Sequence, residues 1–394
     1  MSIALAAANR GAAAADSAIR VMVVDDAVVA RSLVTRWVDA EPDMTIVASL
    51  RSGLEAVERI DKSNPDVVVL DVEMPELDGI SALPLLLKKK HDLVVIMASA
   101  VTRRGAEVSL RALSLGAADY VPKPATSRET STSSEYRREL IEKIRTLGRR
   151  RRLLPRHVAP GLAPTDEHGV RQRPVSSAAR EASPVKPDVH ELTLRPFSLA
   201  VPRVLLVGAS TGGPQALTAL IQKLPMAIDR APLLIAQHMP PTFTTVLAEH
   251  LSRIGGRGAH EAEDGEPVLA GGIYVAPGGR HMRVARGQSG IRIVLGDDPP
   301  INFCRPSVDP LFSSAAQVWG SSALAVVLTG MGSDGCHGAA DVAAAGGSLI
   351  AQDEASSVVW GMPRAVAQAG LCSAVLPLTD IAPRIIRLFS GARL

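Results

Sequence analysis

The chain alternates short apolar runs with longer stretches in which apolar residues recur at the spacing of one helix face. Four runs in the first third of the chain predict strands, at residues 19–24, 67–70, 93–98 and 118–121. The stretches between them, for example 27–40 and 105–115, have helical spacing. Apolar strands separated by helices are typical of a parallel sheet that is covered on both faces. We therefore predict an α/β domain with a doubly wound parallel sheet.

The same alternation returns in the second half of the chain. Its apolar runs lie at residues 204–207, 233–236, 273–276 and 323–328. They predict a second doubly wound parallel sheet, of Rossmann-like type. Because ligands bind at the carboxyl ends of the strands in such sheets, the polar residues that follow the runs are the first candidates for function.

The segment between the two patterns has a different composition. A charged helical pattern at 135–152 is followed by a tract, 155–196, that contains seven prolines. Such a tract buries too little apolar surface to offset the entropy that is lost on ordering. We therefore expect a disordered tail, a first domain, a flexible basic Pro-rich linker and a second domain, over residues 1–18, 19–140, 141–200 and 201–394.

The distribution of charge sets the linker apart from the rest of the chain. The 394 residues carry a net charge of +3, but residues 125–200 hold 15 Lys and Arg against 9 Asp and Glu. The remaining residues hold 28 basic and 31 acidic side chains, so a nucleic-acid-binding surface that spans the whole chain is disfavoured. The four arginines at 149–152 leave DNA binding open as an alternative output, although no helix-turn-helix pattern surrounds them.

Cysteine usage and apolar run length indicate the compartment. Cys304, Cys336 and Cys372 lie far apart and form no CxxC pair, so they predict neither a disulfide framework nor a cysteine zinc site. No uninterrupted apolar run approaches the roughly 18 residues of a membrane helix. We expect a monomeric, cytoplasmic protein that does not insert into a membrane.

Polar residues follow each apolar run of the first domain. Asp25 and Asp26 follow the first run and Asp71 the second, while Ser99 and Lys123 follow the other two. Close carboxylates repel one another and favour a hard divalent cation such as Mg²⁺. A lysine can hold a phosphoryl group there, and an aspartate beside Mg²⁺ is a competent nucleophile toward phosphorus. The alternative is that these aspartates only start turns or cap helices.

In this arrangement the first domain resembles the response-regulator receiver domains. The matching segments are VMVVDDAVVAR, VVVLDVEMPELDG, VVIMASA and DYVPKP. The resemblance implies a flavodoxin-like fold for this domain. It also implies that Asp71 accepts phosphate from a histidine kinase. The implied Mg²⁺ ligands are Asp26, Asp71 and the backbone carbonyl of Glu73, with Asp25 as an outer ligand. The implied switch residues are Ser99, Tyr120 and Lys123.

A serine in the second domain lies in a pattern typical of a catalytic nucleophile. The sequence Gly208-Ala209-Ser210-Thr211-Gly212 fits G-x-S-x-G, which places the serine on a sharp turn from a strand into a helix. The N–H groups at the start of that helix can stabilise an oxyanion. A Gly-rich turn after a strand can equally form a phosphate cradle, and this alternative stays open at the level of the motif alone.

Two other strand ends supply the partners that such a serine needs. His238 follows the run at 233–236, and Asp334 lies in TGMGSDG after the run at 323–328. Neutral imidazole is the usual base near neutral pH, and a buried carboxylate can hold its tautomer. The chain order Ser, His, Asp differs from the orders of the α/β-hydrolases, chymotrypsin and subtilisin.

Several other residues could compete for these roles. His281, in GGRHM, is an alternative base, although it lies on a predicted loop. The polar surroundings of His250, His260 and His337 are typical of surface histidines. The acidic stretch at 261–266 favours a solvated loop over a metal site.

The second domain resembles the chemotaxis protein-glutamate methylesterases, the CheB family. The matching segments are GASTGGPQAL, AQHMP, YVAPGGRHM, RPSVDPLF, VVLTGMGSDG and AQDEASSVVWGMP. The resemblance implies a catalytic triad of Ser210, His238 and Asp334. It also implies oxyanion contacts from the backbone at Thr211 and Met331. Arg280 and Arg305 are weaker matches near the substrate cleft.

The order of receiver, linker and esterase also matches that family. The resemblance implies a phosphorylation-activated esterase that converts glutamate γ-methyl esters of methyl-accepting chemoreceptors to glutamate and methanol. Some members also deamidate receptor glutamines. A CheA-type histidine kinase would supply the phosphate, Mg²⁺ would serve phosphorylation, and ester hydrolysis would need no cofactor. We hypothesise that the unphosphorylated receiver packs over the Ser210 cleft. The alternative is a phosphorylation-dependent module that binds a receptor or kinase without esterase activity.

Overall fold

The structure is a computed structural model that describes residues 18–124, 134–153, 192–224, 231–256 and 258–391. The predicted disordered tail, apart from Ala18, and most of the predicted linker lie outside these residues. Both predicted domains fall within them, and each contains one main parallel sheet. Of the described helices, none is both long and apolar enough to cross a membrane.

The first domain is a five-stranded parallel sheet between two layers of helices. Its strands are β1 Ile19–Val24, β2 Met44–Leu50, β3 Val67–Asp71, β4 Val94–Ala100 and β5 Asp119–Lys123. Its helices are α1 Val28–Asp39, α2 Gly53–Ser63, α3 Gly79–Lys89, α4 Arg103–Ser114 and α5 Ser134–Leu153. The strand order is β2-β1-β3-β4-β5, as the flavodoxin-like prediction requires. The order reverses between β1 and β3, so their carboxyl ends border the crevice where ligands bind in this fold.

The pleat of the strands divides the core of this domain. Val21 and Val23 of β1 belong to the apolar cluster that contains the buried residues of α1 and α5. Met22 and Val24 belong to the cluster that contains those of α2, α3 and α4. Successive residues of a strand point to opposite faces, so a continuous apolar strand buries both faces of the sheet.

Helix α5 continues past residue 140, where we expected the first domain to end. Leu140, Ile144 and Leu147 lie on one face of the helix and are buried against the first sheet. Residues 141–153 are therefore a helix of the first domain, and the expected start of the linker at 141 is wrong. Several of their charged side chains form ion pairs with the first domain, for example Lys143 with Asp119 and Arg145 with Asp43. This high charge is the reason why composition alone suggested a linker.

The four arginines at 149–152 contact other groups of the protein. The ion pairs are Arg149 with Asp43, Arg151 with Asp66 and Arg152 with Asp66. The Arg150 guanidinium donates to two backbone carbonyls of the second domain, at 3.3 and 3.5 Å. These contacts account for the basic run within the fold, so the run no longer favours DNA binding as an output.

The second domain is a seven-stranded parallel sheet with an added antiparallel ribbon. Its strands are β6 Val204–Ala209, β7 Leu233–Gln237, β8 Ala259–Glu261, β9 Ile273–Val275, β10 His281–Gly287, β11 Gly290–Gly296, β12 Ala323–Val327, β13 Ser348–Gln352 and β14 Ala374–Leu376. Its helices are α6 Gly213–Ile221, α7 Phe243–Gly255, α8 Val308–Trp319, α9 Cys336–Ala344, α10 Met362–Gln368 and α11 Leu378–Phe389. The sheet order is β14-β13-β12-β6-β7-β9-β8, and β10 pairs with β11 in the ribbon. The doubly wound class is confirmed for both domains, whereas the ribbon was not predicted.

The described end of the expected linker lies on the second domain. Arg195 N donates to the Cys372 carbonyl at 2.8 Å, and Phe197 packs against the apolar core. Residues 192–200 are therefore attached to this domain. The second domain therefore begins before residue 201, where we expected its start.

The two domains are in direct contact. Helix α4 packs against α6 and α7, and a single apolar cluster includes Leu113 and Tyr120 of the first domain with Leu217 and Phe243 of the second. Arg103 of α4 and Glu249 of α7 form an ion pair at 2.7 Å. The carboxyl end of the first sheet is thus linked to the helices that follow β6 and β7.

Candidate active sites

The carboxyl ends of β1 and β3 bring three aspartates together, as the strand pattern predicted. Carboxylate oxygens of Asp25, Asp26 and Asp71 lie within 4.8 Å of one another. Asp25 and Asp71 are buried, while Asp26 is exposed. Three close oxygen donors with one member open to solvent suit a hard divalent cation, which keeps part of its water shell.

Lys123, at the end of β5, forms ion pairs with both buried aspartates. Its Nζ lies 2.7 Å from Asp25 Oδ2 and 2.8 Å from Asp71 Oδ1. Burial raises the pKa of Asp71 to about 6, against the opposing effect of Lys123 and with the help of Asp25. Burial would lower the pKa of Lys123, but the two aspartates outweigh it and raise that pKa. The lysine therefore stays charged beside the predicted phosphate acceptor.

The other predicted receiver positions contact different parts of the protein. Ser99 is buried, and its Oγ donates to a backbone carbonyl of α4 at 3.0 Å. The Glu73 side chain is exposed and lies 4.0 Å from Arg104. Tyr120 is buried, and its ring stacks on Phe243 of the second domain, with 4.9 Å between ring centroids and 5° between planes. The predicted aromatic switch residue therefore forms part of the domain contact.

Ser210 lies on the turn between β6 and α6. Gly212 has φ 74°, in the left-handed region that favours glycine. Gly330, in the loop after β12, passes so close that an added Cβ would lie 2.8 Å from Ser210 Cβ. Ser210 N donates to the Thr329 carbonyl at 3.1 Å. Glycine at these two positions therefore lets a second backbone segment reach the serine.

His238 and Asp334 form the pair that the sequence predicted. His238 Nε2 lies 2.7 Å from Asp334 Oδ2, and the two side chains are 11% and 2% exposed. His238 follows β7 and Asp334 lies in the loop after β12. Because these strands flank β6 on its two sides, the three predicted triad residues come from neighbouring strand ends.

Asp334 is held by residues that the strand pattern did not single out. Ser307 Oγ and Val308 N donate to its carboxylate at 2.6 and 2.7 Å, and Asn302 Nδ2 does so at 3.4 Å. Burial would raise the pKa of Asp334, but His238, Ser307 Oγ and Val308 N hold it well below its usual value. A carboxylate fixed in this way stays ionised and can orient the imidazole. Ser307 also caps α8, and a serine before an apolar helix is a signal that could have identified it.

The second ring nitrogen of His238 contacts a cysteine. Cys304 Sγ lies 3.2 Å from His238 Nδ1. Over the described ranges, no hydrogen bond joins Ser210 Oγ to His238. Burial lowers the pKa of His238, but Cys304 and Asp334 outweigh burial and raise it to about 10. A raised pKa favours the protonated imidazole, and an imidazole in that form is unable to accept a proton from serine.

The competing histidines have other partners. His281 is buried, its Nε2 contacts a backbone carbonyl at 3.1 Å, and its Nδ1 accepts from Ser307 N at 3.2 Å. It therefore supports the residue that holds Asp334. The contacts of the remaining three are His250 with Thr218, His260 with Glu266 and His337 with Asp341. In the acidic stretch at 261–266, three carboxylates accept hydrogen bonds from within the same domain.

Comparisons with known proteins identify both domains. The sequence model of the CheB methylesterase matches residues 205–385, and that of the response regulator receiver domain matches residues 21–133. A protein of Rhodopseudomonas palustris strain BisB5, named protein-glutamate methylesterase/protein-glutamine glutaminase, is 56% identical over 393 residues, with 100% of both chains covered. The chain belongs to the CheB methylesterase family.

Two further relatives of this CheB family member cover different lengths of chain. A protein of Bradyrhizobium diazoefficiens, named protein-glutamate methylesterase/protein-glutamine glutaminase of group 2 operon, is 57% identical over 399 residues and covers 100% of both chains. The crystal structure of the Thermotoga maritima CheB methylesterase catalytic domain is 40% identical, with a TM-score of 0.46, and covers 48% of this chain and 100% of that chain. Both resemblances inferred from the sequence motifs are confirmed by the family matches.

The predicted oxyanion positions of the CheB domain lie on either side of Ser210. Thr211 is buried between the serine and the start of α6, and its carbonyl accepts from Thr329 Oγ1 at 2.9 Å. Met331 follows Gly330, and its Sδ lies 3.6 Å from Thr146 Oγ1 on α5 of the receiver. The receiver therefore contacts a loop that is predicted to supply an oxyanion donor.

The two arginines predicted near the substrate share one acidic turn. Arg280 Nε lies 2.9 Å from Asp297 Oδ1. Arg305 donates to the backbone carbonyls of Asp297 and Asp298, at 3.1 and 3.2 Å. The structure thus brings the two arginines together, with hydrogen bonds to the protein itself. Their contact with substrate stays a prediction.

The receiver also packs against other loops of the serine site. The Arg138 guanidinium of α5 lies 3.8 Å above the Phe303 ring. Val359 is buried in the apolar cluster of the receiver, and its carbonyl accepts from Gly330 N at 3.0 Å. Helix α5 therefore lies one layer away from the segment that approaches Ser210.

Proposed function

We propose that this protein is a protein-glutamate methylesterase that hydrolyses glutamate γ-methyl esters on methyl-accepting chemoreceptors. The observation that carries the proposal is the His238–Asp334 pair beside Ser210, on three neighbouring strand ends of a CheB-type domain. The names of relatives that match over the full length of the chain support the same activity. The products are receptor glutamate and methanol.

The chemistry of the chain is acyl transfer through a serine. Ser210 Oγ attacks the ester carbonyl carbon and gives its proton to His238 Nδ1, while Asp334 at Nε2 holds the imidazole and stabilises the imidazolium. Backbone N–H groups at Thr211 and Met331 stabilise the tetrahedral oxyanion, and such a donor contributes about 10²–10³ in rate. The proton then passes to the departing methanol, and water hydrolyses the glutamyl-serine ester.

The same site supports a second activity, the deamidation of receptor glutamine. The relatives carry the name protein-glutamine glutaminase as well as methylesterase. An amide would form the same glutamyl-serine intermediate, with ammonia as the leaving group in place of methanol. Because an amide is a poorer acyl donor, we expect this reaction to be the slower of the two.

The receiver would control this activity through phosphorylation of Asp71 by a CheA-type histidine kinase. The oxygen donors of Asp25, Asp26 and Asp71 fit a Mg²⁺ ion, with the Glu73 carbonyl as a further ligand. Bound Mg²⁺ would offset the negative charge of the carboxylates and the phosphoryl oxygens. Lys123 pairs with Asp71 at 2.8 Å and is placed to hold a phosphoryl group.

Inhibition by the docked receiver is the form of control that the contacts support. Tyr120 stacks on Phe243, and α5 packs near Met331, so both sides of the serine site are in contact with the receiver. A phosphoryl group on Asp71 adds charge at the same sheet edge as Tyr120. We propose that this charge shifts the balance towards an undocked state, in which a receptor helix can reach Ser210.

One experiment tests the esterase and its control together. Full-length protein is incubated with receptor membranes that carry radiolabelled methyl esters, with and without acetyl phosphate, and released methanol is counted. We expect release that increases with acetyl phosphate for wild type and is lost in Ser210→Ala. Ser390→Ala, a matched change at the exposed end of α11, should behave as wild type.

The outcomes separate the candidate functions. Equal release from wild type and Ser210→Ala would reject the serine mechanism. Receptor binding that depends on acetyl phosphate, without methanol release, would favour the binding module instead. If methanol release were the same with and without acetyl phosphate, the esterase activity would stand and control by the receiver would be rejected.

A further inference from the structure

The loop of residues 301–304, which precedes α8, has no role in the mechanism above. Ile301 N and Cys304 N donate to each other's carbonyls, at 3.1 and 2.8 Å, so the loop closes on itself. Asn302 and Phe303 have φ 51° and 64°, in the left-handed region that side chains rarely adopt. Such a backbone persists where the surroundings hold it.

Two side chains of this loop contact the His238–Asp334 pair from opposite ends. Asn302 Nδ2 donates to Asp334 Oδ1 at 3.4 Å. Cys304 Sγ lies 3.2 Å from His238 Nδ1, and it is also 3.4 Å from the Asn302 carbonyl. The loop thus spans the pair, with its thiol at the nitrogen that faces away from the carboxylate.

The receiver holds the same loop from outside. The Phe303 ring is 72% exposed, and the Arg138 guanidinium of α5 lies 3.8 Å above its face. A cation over an aromatic face is attracted by the negative charge of the ring. Because Arg138 belongs to the receiver and Phe303 to the esterase domain, this contact is lost when the domains separate.

We propose that Cys304 is a positioning residue that occupies His238 Nδ1 while the receiver is docked and releases it when the receiver moves away. The inference rests on the proposed function, because it requires Ser210 as nucleophile and His238 as base. His238 Nε2 is committed to Asp334, so Ser210 and Cys304 compete for one nitrogen. The thiol either donates to Nδ1 or transfers its proton to it, and in both cases the lone pair is no longer available to serine.

The electrostatics of the site favour the occupied state. Two titratable groups contact His238 directly, namely Cys304 and Asp334, and Asp309 lies behind Asp334. Burial lowers the pKa of His238, and these two contacts raise it to about 10. A base with a raised pKa becomes neutral only as the pH rises towards that value, so the docked enzyme should gain activity with increasing pH. Removal of the thiol should lower the pKa of His238 and move this rise to lower pH.

A Cys–His contact is also the arrangement of a thiol nucleophile. Two observations favour Ser210 for that role. The serine lies between β6 and α6, and the backbone N–H groups at the start of a helix can stabilise an oxyanion. Cys304 lies on a closed loop, with its backbone N–H donated to Ile301. Full activity of Ser210→Ala would identify Cys304 as the nucleophile instead.

The test measures methanol release by full-length Cys304→Ala, Cys304→Ser and Ser210→Ala as a function of pH, with and without acetyl phosphate. Each unit of decrease in the pKa of His238 increases the neutral fraction about tenfold at a pH below it. We expect Cys304→Ala to raise the unphosphorylated rate about tenfold near neutral pH, with a rate in acetyl phosphate that stays within about twofold of wild type. Cys304→Ser, which keeps a hydrogen-bonding group, should fall between the two.

A second measurement does not depend on activity. In protein labelled with ¹⁵N-histidine, the His238 resonances should titrate at lower pH in Cys304→Ala than in wild type. Cys372→Ala is the control, because it removes a thiol that does not contact the His238–Asp334 pair. The backbone carbonyl of Cys372 accepts from Arg195 N, and the variant should leave the titration of His238 unchanged. This measurement also reports whether each variant is folded.

Each outcome has a separate meaning. An unchanged pH profile and an unchanged His238 titration in Cys304→Ala would overturn the positioning role and leave the esterase intact. If folded Cys304→Ala lost methanol release both with and without acetyl phosphate, Cys304 would be essential for the reaction, and this outcome would also overturn the positioning role. Methanol release from Ser210→Ala equal to wild type would instead reject the proposed function itself.

Discussion

The receiver site and the serine site lie at the same kind of place, yet their electrostatics are opposite. In the receiver, burial and Asp25 raise the pKa of Asp71 to about 6, and Lys123 only partly compensates. In the esterase domain, Asp334 and His238 have opposite charges and lie 2.7 Å apart. The first site therefore favours the arrival of a cation, whereas the second is already neutralised from within.

This difference suggests how one site can act on the other. A site with excess negative charge responds to metal and phosphate, because each changes its net charge. The His238–Asp334 pair has no such excess of negative charge, and Cys304 and Asp334 raise the pKa of His238 to about 10. A change in the groups that contact His238 would therefore control the esterase, and the loop at 301–304 contacts both His238 and the docked receiver.

The largest expected effect comes from removal of the carboxylate charge of Asp334 in the serine site. Asp334→Asn should lower methanol release about 10⁴-fold, because the amide would hold the wrong histidine tautomer. The measurement is the initial rate in acetyl phosphate, which compares undocked enzymes. Asp341→Asn changes a half-exposed carboxylate of α9 and serves as the control. A loss smaller than about tenfold would mean that Asp334 only supports the fold.

The receiver site could be predicted from the sequence because its aspartates and its lysine lie at the end of a strand or directly after it. Asp25, Asp71 and Lys123 each follow an apolar run, and parallel strands end at one edge. The strand ends likewise gave Ser210, His238 and Asp334. The pattern of strands was therefore sufficient to predict those site residues that lie at or near a strand end.

The groups that tune the serine site were not predictable in the same way. Asn302, Cys304 and Ser307 lie between β11 and α8, where no periodic pattern fixes the backbone. Their contacts depend on left-handed residues and on a loop that closes over the site. The helical pattern at 135–152 was predicted, but its high charge led us to assign residues from 141 onwards to the linker, although Leu140, Ile144 and Leu147 have the spacing of one buried helix face.

The second prediction tests whether the C-terminal part of α5 belongs to the receiver. Ile144 is fully buried, so Ile144→Ala should lower the free energy of unfolding by about 2–5 kcal/mol. Ile386→Ala, on the partly exposed face of α11, should cost much less. Urea unfolding followed by circular dichroism gives both values. If both substitutions lowered the free energy of unfolding by the same small amount, residues 141–153 would belong to the linker and not to the receiver.

The third prediction concerns the response of the receiver site. Asp71→Asn removes the proposed phosphate acceptor, so methanol release with and without acetyl phosphate should coincide. Coupling between sites of this kind is typically worth about 5–150-fold, and that increase should be lost. Asp61→Asn, an exposed carboxylate that pairs with Lys89, should retain the response. A response that persists in Asp71→Asn would mean that another residue accepts the phosphate.

The smallest expected effect tests the domain contact itself. Arg103 pairs with Glu249 across the contact at 2.7 Å and with Glu107 within α4 at 3.2 Å. Glu249→Gln should increase unphosphorylated methanol release only about twofold, because exposed ion pairs are weak. The increase should shrink at high salt, which screens the pair in wild type as well.

Glu107→Gln is the matched control for this pair, because it removes a partner of the same arginine without crossing the domain boundary. It should leave the unphosphorylated rate unchanged. If Glu107→Gln raised the rate as much as Glu249→Gln does, the effect would belong to helix α4 and not to docking. If neither had an effect, the apolar contact of Tyr120 with Phe243 would be the part of the interface that holds the receiver in place.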